Sequence, residues 1–246
     1  MKALILAAGL GTRLRPLTNE RPKALVEANG VSLLERNIRF LQAQGISEII
    51  VNVHHFGEQI MDFVHARDWG LPVRISDERG LLRDTGGGIR HAAEHLRNEA
   101  DFLVYNVDVL SDLNLTPFYE THRRQGNLAT LAVRHRKTQR YLLFDKDLRL
   151  ISRYHPETDP CPQPGQEAAA FSGIHLISSR IFSLLPEEEV FPILPVYLQL
   201  TKTECIRGYF HDESFWMDMG RPESIADYTR RFSGTKTEKR SGASDF

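Results

Sequence analysis

An α/β fold of Rossmann-like type, with a mostly parallel twisted sheet, helices on both faces and a smaller β-rich part, is predicted by three features of this chain. A short apolar run, Met1–Leu6, empties into the small-residue loop Ala7-Ala8-Gly9-Leu10-Gly11. Strand-like and helix-like segments then alternate as far as Val107, the pattern of βαβ units. After Thr116 the pattern turns β-rich. The 246 residues suit one large domain or two small ones, with chain enough to bury a substantial core.

The alternation begins with a strand over Lys2–Leu6. Leu33–Gln44 reads as a helix, because Leu34, Ile38 and Leu41 share one face. Glu48–Val53 is a strand, Gly57–Arg67 a helix and Val73–Ile75 a short strand. Ile89–Arg97 is helical on the spacing of Ile89, Ala92, Ala93 and Leu96, and Phe102–Val107 is a further apolar run. In such sheets ligands bind outside the carboxyl ends of the strands, where the loop after Leu6 lies.

In the second part, Leu128–Val133 is a strand, and Tyr141–Phe144 with Leu148–Ile151 brackets the turn Asp145-Lys146-Asp147 as a hairpin. Pro156–Gln166 reads as an exposed loop and Ala170–Ile177 as a strand. Ser178–Leu184 and Phe191–Lys202 look helical, Cys205–Phe210 is strand-like, and Pro222–Phe232 is a closing helix with proline at its start. Ser233–Phe246 has almost no apolar content and is expected to be disordered. Residues 1–232 are therefore expected to form a single domain, about 1–115 binding nucleotide and about 116–232 forming the β-rich part.

Composition narrows the class. The chain is 41% hydrophobic and 26% charged with a formal net charge of −1, so nothing draws it generally to nucleic acid or an anionic membrane, and anion recognition must be local. Cys161 and Cys205 are far apart and lack metal-ligand spacing, which argues against a disulfide framework or zinc site. Lys2–Gly11 superficially resembles a signal peptide, but its apolar run is short and Arg13 and Arg15 stand where a cleavage region should be uncharged. No apolar run approaches the roughly 18 to 20 residues needed to span a bilayer. A reducing cytoplasm is the expected location, and the oligomeric state is not legible.

The loop after Leu6 has the makings of a triphosphate grip. Gly9 and Gly11 let backbone N–H groups approach a polyphosphate, Thr12 follows, and Arg13, Arg15 and Lys23 supply charge. Gly9-x-Gly11 taken alone serves a tight turn equally well. The continuation Pro16-Leu17-Thr18 and Arg21-Pro22-Lys23-Ala24-Leu25 is more specific. Together these stretches resemble the signature of the sugar-1-phosphate nucleotidyltransferases, or sugar-nucleotide pyrophosphorylases: Leu-Ala-Ala-Gly-x-Gly-x-Arg, then Pro-Leu-Thr, then Pro-Lys-Pro-Leu. Ala24 stands where that family usually has proline, and the lysine stays in register.

Thr85-Gly86-Gly87-Gly88 precedes a helical pattern. A glycine cluster there is a flexible helix approach capped by Thr85, or a place where something comes close to the main chain. The resemblance implies the second, a loop against the nucleobase, and Asp84–Gly88 is most similar to the version in N-acetylmuramate-1-phosphate uridylyltransferases. Glu78 lies near the base-contacting polar residue of such proteins, with spacing that differs by one.

Two aspartates stand out. Asp108 closes the apolar run Phe102–Val107, where an aspartate is commonly a turn residue or cap. Asp218 lies in the mostly apolar Phe215-Trp216-Met217-Asp218-Met219-Gly220, where an ionised carboxylate needs a partner. The resemblance matches Asn106-Val107-Asp108 and Trp216-Met217-Asp218-Met219-Gly220 to motifs that supply carboxylates to one magnesium ion, and such hard oxygen donors suit Mg2+. It also places Asn106 and Gly173, the latter within Phe171-Ser172-Gly173-Ile174, near the sugar. His54 and His55 are read as loop residues, since neighbours on an extended chain point apart. His91, His95 and His122 read as helix-surface residues.

The resemblance spans Met1 to about Phe232. It implies in-line attack of a sugar 1-phosphate on the α-phosphorus of a nucleoside triphosphate, with pyrophosphate released and a nucleoside-diphosphate sugar formed. Positioning and charge neutralisation dominate such chemistry. Arg13 would hold the β- and γ-phosphates, Lys23 the reacting phosphates, and Asp108 and Asp218 the metal. UTP with N-acetylmuramate 1-phosphate is the leading substrate pair, which would place the protein in cell-wall recycling, and GTP with mannose 1-phosphate is second. A nicotinamide-dependent oxidoreductase lacks support because Leu14 breaks Gly-x-Gly-x-x-Gly. A non-catalytic regulatory subunit of the same fold remains, opposed by retention of Arg13, Lys23, Asp108 and Asp218.

Overall fold

β1 (Lys2–Leu6) lies at the centre of the architecture, as a strand carrying the apolar run Ala3–Leu6 and placed between two other strands should. A computed structural model describes residues 1–232; the tail expected to be disordered, 233–246, lies outside the described residues. After β1 come a small antiparallel pair, β2 (Glu27–Ala28) and β3 (Val31–Ser32), then α1 (Leu33–Ala43), β4 (Glu48–Val53), α2 (Gly57–His65) and β5 (Val73–Asp77). α3 (Asp84–His91) and α4 (Ala93–Leu96) lead into β6 (Asp101–Asn106) and β7 (Val109–Ser111). The second part holds α5 (Leu115–Gln125), β8 (Ala129–Arg134), β9 (Tyr141–Phe144), β10 (Leu150–Tyr154), β11 (Glu167–Ser178), α6 (Ile193–Leu200), β12 (Ile206–Phe210), β13 (Trp216–Asp218) and α7 (Pro222–Phe232).

The main sheet has nine strands. Its path is β10-β9-β11-β6-β1-β4-β5, with β8 paired to β11 and β12. The pairs β6-β1, β1-β4 and β4-β5 are parallel, the expected nucleotide-binding half. β11 runs antiparallel to β6, β8 and β9, and β9 pairs antiparallel with β10 in the expected hairpin. The mixed α/β fold thus has a parallel centre continued by a β-rich part.

Strand periodicity splits the core into two layers. Ile5, Val51 and Tyr105 point to one face and pack on Leu34, Ile38 and Leu41 of α1, Ile60 and Val64 of α2, and Phe118 of α5. Leu4, Ile50 and Val104 point to the other and meet Ile89 of α3, Leu96 of α4 and Tyr197 of α6. Because both faces are covered, the central strands read as continuous apolar runs.

Beyond the short strands β2, β3 and β7, which the sequence reading lacks, three elements depart from it. α3 begins at Asp84, so Gly86, Gly87 and Gly88 are helical rather than a loop ahead of a helix. α5 has a sparse apolar stripe, Leu115 and Phe118, completed by His122; that histidine is 1% exposed, not on the surface, with Thr130 Oγ1 at 2.8 Å from Nδ1 and Asp101 Oδ1 at 3.3 Å from Nε2. Ser179–Ser183 forms a 3-10 turn instead of an α-helix. Cys161 and Cys205 are both free, and no helix among the described residues is long and apolar enough to cross a membrane.

Two further histidines are buried, and for these burial favours the neutral form. His175 on β11 has the Tyr197 hydroxyl 2.8 Å from Nδ1, and burial drives its pKa down to about 3. His211 lies between the hydroxyls of Ser172 and Ser214, each at 2.7 Å, and burial, with the nearby Arg134 charge, lowers its pKa to about 4. Below an ordinary histidine value near 6.5 the unfolded chain takes up protons that the native chain refuses. Unfolding free energy should therefore fall as the pH drops from about 6.5 towards 4, by up to about 1.4 kcal/mol per pH unit for each histidine. Urea unfolding between pH 7 and 5 checks this, and a flat profile contradicts it.

Candidate active site

The loop after β1 folds onto the Arg-Pro-Lys segment. Gly11 has a φ of 64°, and a Cβ there would stand 3.1 Å from both Lys23 Cβ and Thr18 Cγ2, so glycine meets both the left-handed backbone and the close approach. Thr18 Oγ1 donates to Gly11 O at 2.8 Å, and Thr12–Leu14 forms a 3-10 turn that leaves Arg13 with 58% of its side chain exposed. Lys23 opens a second 3-10 turn behind Pro22, and Ala24 is fully buried beneath it.

Lys23 points at Asp108. Its Nζ lies 2.9 Å from Asp108 Oδ2, and Arg13 Nη2 lies 3.8 Å from the same oxygen. Asp108 sits in the turn from β6 to β7 and is 8% exposed, a position an unpaired carboxylate could not hold cheaply. β13 pairs antiparallel with β7, aligning Asp218 with Val109, and Met219 N donates to Asp108 O at 2.7 Å. Two aspartates 110 positions apart in number are thereby neighbours.

Gly220 marks the meeting point. A Cβ built there would lie 2.8 Å from Asp218 Oδ1, 3.0 Å from Asp108 Oδ2 and 3.0 Å from Arg13 Nη2. The structure thus brings Arg13, Lys23, Asp108 and Asp218 together. No group of three or more His, Cys, Asp or Glu side chains fit to hold a metal occurs among the described residues. A two-carboxylate oxygen set nevertheless suits Mg2+, which commonly takes one or two carboxylates and completes its shell from water and substrate phosphate.

A second cluster lies beneath the loop. Asn52 Oδ1 accepts from Ala7 N at 2.6 Å and Ala8 N at 3.2 Å, and its Nδ2 donates to Glu78 Oε1 at 2.9 Å. Glu78 is 2% exposed, and burial holds its carboxyl above the usual carboxylate range. Its other oxygen, Oε2, is buried without a hydrogen-bond partner. Sequence reasoning missed Asn52; the signal was a lone polar residue in the apolar Ile49–Val53 run.

On the β-rich side, Gly173 has a φ of 76°, and a Cβ there would stand 2.7 Å from Asn106 Nδ2. The pairing register of β11 with β8 shifts between Phe171 and His175, which turns this stretch of β11 aside next to Asn106. Asn106 and Gly173 are thus in contact range.

The chain and its architecture match known proteins. A family model described as nucleotidyl transferase matches residues 2–233. The chain belongs to the nucleotidyl transferase family. It is 30% identical to an N-acetylmuramate alpha-1-phosphate uridylyltransferase of Neisseria meningitidis over 89% of this chain and 93% of that protein. It is 48% identical to the protein of the same name from Caulobacter vibrioides over 43% of this chain and 45% of that protein, and 30% identical to a mannose-1-phosphate guanyltransferase of Candida albicans over 93% of this chain and 64% of that protein. In those two alignments the chain thus spans less than two thirds of the relative. The crystal structure of HddC from Yersinia pseudotuberculosis shares the fold at a TM-score of 0.78 and 22% identity, over 94% of this chain and 99% of that one.

For this nucleotidyl transferase the glycine run needs a different reading from the loop against a base that its sequence suggests. Gly86 N and Gly87 N both donate to Phe191 O, at 2.9 and 3.1 Å, and Thr85 Oγ1 accepts from Ile193 N at 3.0 Å. A Cβ on Gly86 would stand 2.3 Å from the Phe191 ring, and one on Gly87 2.2 Å from Glu189 O. The close approach is to the chain's own segment 189–191. Gly87→Val should therefore cost stability, on the order of 1–3 kcal/mol as other overpacking does, and any rise in nucleotide KM should accompany that loss. Urea unfolding together with KM measures both; undiminished stability with a raised KM would restore the glycine to a nucleotide-facing role.

Proposed function

We propose that the protein transfers a nucleotidyl group from a nucleoside triphosphate to a sugar 1-phosphate, giving a nucleoside-diphosphate sugar and pyrophosphate. The observation that carries this reading is the convergence of Lys23 and Arg13 on Asp108, with Asp218 facing the same point. Family membership and the named relatives support the same chemistry.

The residues divide the work by charge. Exposed Arg13 reaches outward from the loop and would hold the β- and γ-phosphates, with Gly9, Gly11 and Thr12 shaping the loop around them. Lys23, fixed against Asp108, would stabilise charge that redistributes at the α-phosphoryl group. Asp108 and Asp218 would hold Mg2+, whose chemistry when bound is to neutralise phosphate oxygens as a Lewis acid. The attacking sugar phosphate oxygen arrives ionised, so no protein base is required.

Base selection falls to a different set than small-residue amides. The amides of Ala7, Ala8, Gly86 and Gly87 are spent on Asn52 and Phe191, and the carbonyls of Thr85, Gly86 and Gly87 lie within α3, so Ala7 and Ala8 would act by shape and through their carbonyls, while Thr85, Gly86 and Gly87 would act by holding α3 against segment 189–191. Glu78, with one unpartnered oxygen, retains hydrogen-bonding capacity for a base edge. Asn106 and Gly173 would line the sugar side.

Within this class we assign UTP and N-acetylmuramate 1-phosphate as the substrates, a choice supported by the Neisseria relative, which the chain matches nearly end to end. A competition between UTP with N-acetylmuramate 1-phosphate and GTP with mannose 1-phosphate should give predominantly the uridylyl sugar. Predominant GDP-mannose would move the substrate assignment to the guanylyl relatives, and absence of pyrophosphate release with every pair would overturn the reaction. Lys23→Ala should lower turnover roughly a hundred- to thousandfold at saturating substrates, the loss expected when one preorganised charge leaves a developing anion. Near-normal turnover would detach Lys23 from the reaction.

A further inference from the structure

One cation near the paired aspartates has no role in the scheme above. Arg136, just past β8, is partly buried and sits over Trp216 of β13, its guanidinium carbon 4.7 Å from the ring centroid. One Nη donates to Phe171 O at 3.2 Å, and Nε is buried without a partner. Arg134 approaches the same indole at 5.7 Å but is satisfied by the carbonyls of Ser214 and Asp212. Trp216 is itself pinned by its Nε1 bond to Ser172 O at 2.9 Å, so this whole unit adjoins Gly173 and Asn106.

The electrostatics of Arg136 are unbalanced. Burial lowers its pKa, with the charge of Arg134 acting in the same direction, while Asp218 and, more weakly, Tyr141 support the cation. Asp218 already faces Arg13 and Asp108 at the Gly220 point. No carboxylate forms a salt bridge with Arg136 among the described residues, while donor capacity remains on its planar fork. A partly desolvated guanidinium in that condition is suited to a planar or tetrahedral oxyanion.

We propose that Arg136 binds an oxyanion of the sugar 1-phosphate acceptor, and that Trp216 and Phe171 O orient its guanidinium for this. The inference rests on the nucleotidyl transfer reading. The shared chemistry has two sources on the acceptor: the 1-phosphate, and a carboxylate carried by an acidic sugar such as N-acetylmuramate. Arg136 would then separate acceptor binding from triphosphate binding, which Arg13 and Lys23 serve from the opposite part of the fold.

The test compares the full-length protein with Arg136→Gln and Arg136→Lys on N-acetylmuramate 1-phosphate and N-acetylglucosamine 1-phosphate, which differ in the lactyl carboxylate. Arg136→Gln should raise the acceptor KM roughly ten- to hundredfold with the triphosphate KM little changed, and Arg136→Lys should recover part of the loss. A rise for both acceptors identifies the phosphate as the partner; a rise confined to the acidic sugar identifies the carboxylate. An acceptor KM unchanged in Arg136→Gln, or a rise that follows a lowered thermal midpoint and is not relieved by lysine, overturns the proposal while leaving nucleotidyl transfer in place. If the wild-type protein turns over no acceptor, the transfer reading fails on its own, and titration of wild type and Arg136→Gln with inorganic phosphate decides Arg136: weaker binding in the variant supports it, equal binding overturns it.

Discussion

A carboxylate with 8% exposure at the end of a central strand has to be compensated, and much of the geometry around the site follows from how Asp108 is. Lys23 supplies the counter-charge at 2.9 Å, which draws the Arg-Pro-Lys segment under the loop after β1 and demands glycine at position 11 where that segment passes. The backbone carbonyl of Asp108 accepts from Met219 N, which docks the β13 end of the chain onto β7. One residue therefore ties the first loop, the middle strand and the closing strand, three parts of the sequence with no local reason to meet.

The parallel centre supplies the rigid base for this junction. Leu6 and Asn106 are register partners, and the pairing continues one step further as Val107 N donates to Leu6 O at 3.2 Å. Asn37 of α1 fixes the next carbonyl, Val107 O, at 2.9 Å. The turn bearing Asp108 is thus held from the sheet and from a helix, so the carboxylate is placed by elements with fully buried apolar faces. Sites built on such elements hold geometry better than free loops do.

What could be read from the chain divides along physical lines. The central strands were legible because burial on both faces leaves nearly uninterrupted apolar runs, and β1 and β4 fall where the residues place them. α5 was not, because His122 completes its buried stripe and a histidine gives no hydrophobic signal. The pairing of Asp218 with Asp108 could be inferred only through the resemblance, since antiparallel β7-β13 contact is a tertiary event between segments more than a hundred positions apart. Asn52, Trp216 and Arg136 left fainter marks: a polar residue in an apolar run, an aromatic two positions before an acid, and one arginine among several.

The glycine run shows why a residue pattern and its cause need separating. In the sequence Gly86 and Gly87 suggest space for a ligand because glycine permits close approach, and close approach is what the structure contains. The approaching group is Phe191 and the Glu189 carbonyl, which lets α3 lie against the start of α6 and satisfies two helix N-terminal amides that would otherwise lack acceptors. Selection for a small side chain is the same in both cases, so composition alone cannot tell ligand from self-packing. The polar groups can: an amide already donating inside the fold is unavailable to a base, whereas Glu78 Oε2 and Arg136 Nε are still unmatched. In a chain whose net charge is only −1, the unmatched donor Arg136 Nε localises anion recognition more sharply than glycine spacing does.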